Sequence, residues 1–247
     1  MKKKRRKKEQ STLFSLFIIF VLIIGYLYQN RMQEASTSFK TENASKKVPS
    51  YSLEDIPLYD GKDYVVLNNN EPHFDEEDYT KEEFESYSEL DSLGRTQVAF
   101  ANIGIHLMPT EKRGSIGMMK PSGWHTVKYD IVDGKYLYNR CHLIGYQLTG
   151  ENANEKNLMT CTRQMNTKGM LPFENLVAEY IKETKNHVLY RVTPIYEGDN
   201  LLANGVEIEA SSVEDDVIKL HVFVYNVQEG ISIDYKTGNS ELKKDYE

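Results

Sequence analysis

The sequence predicts an α+β fold, an antiparallel sheet with helices packed on it. Three observations lead there. Beyond Asn186, the segments "HVLYRVTPIYEG", "NGVEIEASSVE" and "VIKLHVFVYNVQ" alternate in character every second residue, with the turn signals "EGDN" and "SVEDD" between them, which is the pattern of an antiparallel meander. "PFENLVAEYIKETKN" sets Leu176, Val177, Tyr180 and Ile181 at helical spacing, with Pro172 suited to the first turn and Glu174 to the positive end of the helix dipole. The central "KRGSIGMMKPSGWHT" is rich in Gly and Pro and reads as a loop.

Taken in chain order, the first element is a cationic run, "KKKRRKK" at residues 2 to 8, followed by an uncharged stretch from Ser11 to Asn30 with its apolar centre at Leu13 to Tyr28. That length suits the hydrocarbon core of a bilayer. Tyr26 and Tyr28 stand where interfacial aromatics belong, and the cations keep the N-terminus inside. Residues 1–30 therefore read as a basic tail and a transmembrane signal anchor. A cleaved leader is the other reading, with "ASTS" at 35 to 38 as the nearest cleavage site. Residues 31–50 are too polar to bury a core and form a linker. The outer domain is 51–247, placed outside the cell membrane, or secreted if the leader is removed.

In the outer domain, "DYVVLNNN" reads as a strand and turn. Phe74 to Asp91 carries nine acids and one Lys, with Phe84, Tyr87 and Leu90 spaced as in a short acidic helix. Its carboxylates are strung along a surface and do not converge as metal ligands must. "GRTQVAFANIGIHL" is a buried strand, and "YLYNRCHLIGYQLTG" and "NLMTCT" are two more.

Composition bounds the function. Of 247 residues, 40% are hydrophobic and 27% charged, so the chain can build an ordinary core. Two cysteines, Cys141 and Cys161, exclude a disulfide framework. They leave open one bridge, which an exported protein tolerates, or two buried thiols. From Gln10 onward, 23 Lys and Arg face 36 Asp and Glu, a net of −13. Nucleic-acid binding draws much of its energy from cations displacing counterions, so a nuclease with this body needs a local basic patch, a metal ion, or both.

The chemistry gathers in the centre. Arg140 and His142 lie two apart on one strand and share a face. Asn157 and Asn166 follow nine apart, and Glu174 comes eight later at the helix start. Asn139-Arg140-Cys141-His142 resembles the Asp-Arg-Gly-His motif of the DNA/RNA non-specific endonucleases, whose site is a ββα-metal, or His-Me, finger. The run "NRCHLIGYQLTGENANEKNLMTCTRQMN" is similar to the membrane-anchored nuclease and streptodornase group of Gram-positive bacteria.

The resemblance implies roles. His142 is the general base, since a neutral imidazole is available at mild pH. Asn166 is the direct protein ligand of Mg²⁺, for which Mn²⁺ can substitute. Mg²⁺ keeps several waters, and Glu174 holds one of them. Arg140 clamps a phosphate oxygen, a task its planar fork suits. Asn157 orients the site or the phosphate. Arg163, Lys168, Arg113 and Lys120 are the candidate nucleic-acid contacts, a local positive patch on an acidic body. The implied activity is Mg²⁺-dependent, largely sequence-non-specific hydrolysis of DNA, with RNA as the open alternative substrate. Asn139 and Cys141 depart from the usual Asp and Gly, which motivates a rival reading as a surface DNA-binding receptor without catalysis. His73, His106, His125, His187 and His221 fit no motif and read as structural.

Overall fold

A computed structural model describes residues 51–246. The signal anchor and linker expected over residues 1–50 lie outside the described residues. A six-stranded sheet has the order β1-β8-β7-β6-β3-β2, with β1 Tyr64–Val66, β2 Phe84–Tyr87, β3 Ala99–Ile103, β6 Val188–Ile195, β7 Gly205–Ser212 and β8 Lys219–Tyr225. Every neighbouring pair is antiparallel, and β6 to β8 form the expected meander. Two hairpin-like pairs stand apart, β4 Tyr138–His142 with β5 Leu158–Thr162, and β9 Ile231–Ile233 with β10 Ser240–Leu242. The helices are a single turn, α1 Tyr146–Thr149, and α2 Leu171–Thr184.

The acidic helix expected over Phe74 to Asp91 does not form. A 3-10 turn spans Glu76–Asp78 and β2 follows. Phe84 and Ser86 point inward while Glu85 and Tyr87 are half-buried. The period is therefore two, and pairing of Phe84 with Asn102 and Tyr87 with Ala99 satisfies the backbone that a helix would have satisfied internally.

Alternation gives the sheet two different faces. One presents Ala101, Tyr190, Ile208 and Val222 to β4, β5 and α2, and is joined there by Leu143, Ile144, Met165, Val177 and Ile181. On α2 the buried stripe is Val177, Ala178, Tyr180 and Ile181. Leu176, expected in that stripe, is 48% exposed, because the stripe is centred on Val177 and Ile181 and leaves Leu176 beyond its edge. The opposite face carries Phe100, Leu189, Phe223 and Tyr225 under residues of the N-terminal arm, among them Ile56, Leu67 and Phe74. It also buries Arg191, Glu207, Glu209 and His221.

The β4–β5 pair is fastened in two ways. Its register sets Asn139 opposite Cys161 and Cys141 opposite Met159, so the two cysteines are diagonal neighbours on the core-facing side. They form a disulfide with a Cα–Cα distance of 5.9 Å, inside the normal bridging range. Thr162 N–H donates to Asn226 Oδ1 at 2.9 Å, and Asn226, fully buried, also donates to the Ala203 carbonyl in the loop that leads into β7.

Candidate active site beside strand β4

The chain from β5 into α2 is helical without a break, but residues Met165–Met170 form a π turn in which Leu171 N–H reaches Asn166 O, five residues back. Pro172 lies just beyond it. A proline inside a helical rod lacks the N–H for the carbonyl four residues earlier and crowds it, and the wider turn absorbs that conflict. The geometry of the site depends on this turn. In a regular helix residues 166 and 174 would be about 80° apart. Taking up one residue in the wider turn makes them equivalent to an i,i+7 pair, on one face.

Asn166 and Glu174 accordingly line one cleft, of about 610 Å³, together with Arg113, Arg140, His142 and Arg163. Tyr138, from the same face of β4 as Arg140 and His142, lies on its wall with Trp124 and Tyr136.

His142 is almost wholly buried. Its Nε2 lies 2.8 Å from the Asn152 carbonyl. A carbonyl only accepts, so Nε2 carries the hydrogen. Nδ1 then holds the lone pair, and Arg113 Nη2 points at it from 3.3 Å. Burial, with the nearby Arg113 charge, pushes the His142 pKa down to about 4 against the pull of the carbonyl contacts. The ring is neutral at mild pH, with its basic nitrogen turned to the cleft beside a cation.

Glu174 is half-buried. Burial raises its carboxyl to about 7, opposed by Gln147 and by the Arg113 charge. Gly145 gives it room, since a Cβ there would overlap the Glu174 carboxylate. Arg140 stacks on Trp124 with the guanidinium 3.9 Å from the ring centre. It donates from Nε to the Met119 carbonyl at 2.5 Å and from Nη2 to the Gly117 carbonyl at 2.8 Å. Loop 112–125 thus holds its fork at the cleft wall.

Three of the residues singled out in the sequence stand elsewhere. Asn157 is fully buried; its Oδ1 accepts from Ile144 N–H at 2.9 Å and its Nδ2 donates to the Ile144 carbonyl at 3.0 Å. It orients the turn after His142 and touches no part of the cleft. Lys168 lines a neighbouring hollow of about 320 Å³, to which Arg163 also contributes. Lys120 is exposed and does not line the cleft. Arg163 is paired with Asp133 at 2.8 Å on the rim. Sequence reading missed Asn152, Gly145, Gln147 and Trp124. A backbone carbonyl, a missing Cβ and a stacking partner leave no spacing signal in one sequence.

Residues 75–214 match the family model described as DNA/RNA non-specific endonuclease. A deoxyribonuclease of Streptococcus dysgalactiae subsp. equisimilis is 36% identical over 110 residues, which are 42% of this chain and 32% of that protein. The match thus spans about a third of that relative's length. Among solved structures, NucA from Streptococcus agalactiae, with a magnesium ion bound, superposes with a TM-score of 0.67 at 24% identity, covering 83% of this chain and 96% of that one. The Sda1 nuclease, solved with a bound zinc ion, gives 0.61 at 25% identity, covering 78% of this chain and all of the other. The likeness to NucA is one of fold.

Proposed function

This chain belongs to the DNA/RNA non-specific endonuclease family, and from that premise we propose that it is a Mg²⁺-dependent endonuclease which hydrolyses DNA phosphodiester bonds with little sequence preference at the outer cell surface. The observation that carries this reading is the unprotonated Nδ1 of His142, buried beside Arg113 in the cleft that also receives Asn166 and Glu174. A general base must be unprotonated at working pH and within reach of the proton it takes.

His142 Nδ1 takes a proton from water as the water oxygen bonds to phosphorus. The bond from phosphorus to the 3′-oxygen breaks, that oxygen is protonated from solvent, and a 5′-phosphate end remains. Arg113, and Arg140 through the Nη1 that its loop contacts leave, would face the non-bridging oxygens, and Arg113 adds to burial in keeping His142 unprotonated before substrate arrives. The donors fit Mg²⁺, which prefers oxygen ligands and retains waters. Asn166 offers an amide oxygen and Glu174 a carboxylate in space that only a glycine at 145 leaves free. Held directly by the neutral Asn166 amide, with Glu174 on one of its waters, the ion would supply positive charge to the phosphate with no charged protein group bonded to it. The disulfide supports export to an oxidising compartment, as do the cationic and apolar runs of residues 2–30.

The deciding experiment incubates the full chain with supercoiled plasmid and Mg²⁺, with and without EDTA, beside His142→Ala. Nicking that needs Mg²⁺ and the histidine is expected. An intact plasmid with a clear gel shift would instead favour the DNA-binding receptor. That rival has lost one of its two motives, since Cys141 faces the core inside the disulfide. Asn139 keeps the other, its Nδ2 buried with no hydrogen-bond partner. Protease added to whole cells tests the location; full protection of the domain contradicts it.

A further inference from the structure

On the sheet face turned away from the cleft, β7 and β8 set Glu209 directly opposite His221. The N-terminal arm lays His73 over them, its backbone N–H donating to Glu209 Oε1 at 2.7 Å. A ring nitrogen of His73, a carboxylate oxygen of Glu209 and a ring nitrogen of His221 lie within 4.8 Å of one another. We propose that these three atoms form a second cation site, distinct from the nuclease cleft, for a borderline transition-metal dication of the Zn²⁺ class.

Two further observations point to a ligand. His73 Nδ1 is buried and has no hydrogen-bond partner, with Glu209 Oε1 3.5 Å away. Glu207, 1% exposed, leaves Oε2 without a partner, while its Oε1 lies 2.6 Å from His221 Nε2. Buried polar atoms are almost always satisfied, and two orphans on residues that both neighbour His221 mark a place where a donor or an ion is missing.

Loss of one proton from His221 makes room for a cation. Arg191 occupies Glu209 Oε2 through Nε at 2.7 Å and Nη2 at 2.6 Å, so Oε1, which accepts the His73 backbone N–H, keeps a second lone pair to ligate. With His221 neutral, the cluster holds two carboxylates against one guanidinium. As it stands, both nitrogens of His221 face acceptors, the Glu71 carbonyl and Glu207 Oε1, and so both carry protons. Metal binding replaces the Nε2 proton, which leaves to solvent, and frees Glu207 as a fourth ligand or an outer partner. The His73 side chain, 35% exposed, gives the path in.

The donor set decides the metal. Two imidazoles and a carboxylate suit Zn²⁺, whereas Mg²⁺ wants oxygen ligands throughout. The site would tie the arm to β7 and β8, so its readout is affinity and stability, and it does not depend on the nuclease reading. The test uses the full chain carrying Asn166→Ala, which removes the amide of the cleft, in equilibrium dialysis against ZnCl₂ with metal analysis. One Zn²⁺ per chain is expected, with a raised melting temperature. Adding His73→Ala should weaken binding at least about tenfold and abolish the thermal shift, while the melt in EDTA stays that of the parent. As a check without a variant, Co²⁺-loaded wild-type chain should show the paramagnetically shifted imidazole proton signals of two histidine ligands. Failure of the Asn166→Ala chain to take up Zn²⁺, equal binding after His73→Ala, or absence of those signals would overturn the site.

Discussion

The sheet face that carries β4, β5 and α2 is packed with aliphatic residues, whereas the opposite face buries Arg191, Glu207, Glu209 and His221 beneath the N-terminal arm. Both faces hold titratable groups in poor contact with water, but they resolve the burial differently. Opposite the cleft, Arg191 meets Glu209 and His221 meets Glu207, so charge is answered within the protein. At the cleft, His142 stays neutral and Glu174 is held near half-protonation. Perturbed groups left unanswered in a cavity are what a reaction can use. The apolar platform contributes by being featureless, since it fixes the β4–β5 pair and α2 without competing for their polar side chains.

Substitutions that separate activity from stability test this contrast. The largest effect belongs to His142→Ala, which should lower the rate of plasmid nicking by about 10²–10⁴-fold with an unchanged or higher melting temperature. Activity and stability falling together would break the contrast. Arg191→Met on the other face should do the reverse. Removing one partner of a buried ion pair costs about 3–5 kcal/mol, read by urea unfolding, while the rate per folded molecule stays that of the wild type.

Cys141→Ala with Cys161→Ala sharpens how the finger is held. The bridge closes a loop of sequence separation 20, and its loss should cost about 3 kcal/mol, with cleavage retained below the lowered melting point. Asn157→Ala unpairs the N–H and carbonyl of Ile144, a loss of about 1–3 kcal/mol. Because those groups set the turn after His142, its rate should also fall, which Cys141→Ala with Cys161→Ala should not cause.

The subtlest readout is the pH dependence of stability, since Glu174 is only half-buried and water screens its shift. Glu174 titrates at about 7 in the fold, above its ordinary value of 4.5, so the fold favours its protonated form. That contribution is complete below pH 4.5 and is lost as pH rises through 7. In metal-free protein, Glu174→Gln should therefore gain in melting temperature over the wild type between pH 5 and pH 8; a constant gap would show that Glu174 is not held in this way. His142 has the opposite sign. Its folded value of about 4 lies below 6.5, so its contribution is present above pH 6.5 and lost as pH falls through 4.

Much of this was legible in the sequence because it rests on periodicity. The two-residue alternation of β6, β7 and β8 and the 3.6-residue stripe of α2 report which side meets a core, and neither needs a partner to be read. The placing of Arg140 and His142 on one face follows from the same rule. Phe84 to Leu90 shows the limit. Its apolar residues, three apart, fit a helix and not a strand, and pairing with the edge of β3 overrides that spacing.

Composition and spacing settle what is local: the strands of the meander, the rod of α2, the acidic body, and a group of residues suited to phosphodiester chemistry. Tertiary structure decided the rest. The register of β4 on β5 joined Cys141 to Cys161. The π turn before Pro172 brought Asn166 round to the face of Glu174. The Ile144 backbone claimed Asn157 for the interior, and the Asn152 carbonyl chose which nitrogen of His142 bears the proton. Each depends on an atom distant in sequence or on a turn that breaks the regular period. Spacing along the chain carries neither kind of information, because distance in space is set by what the sheet and helix pack against.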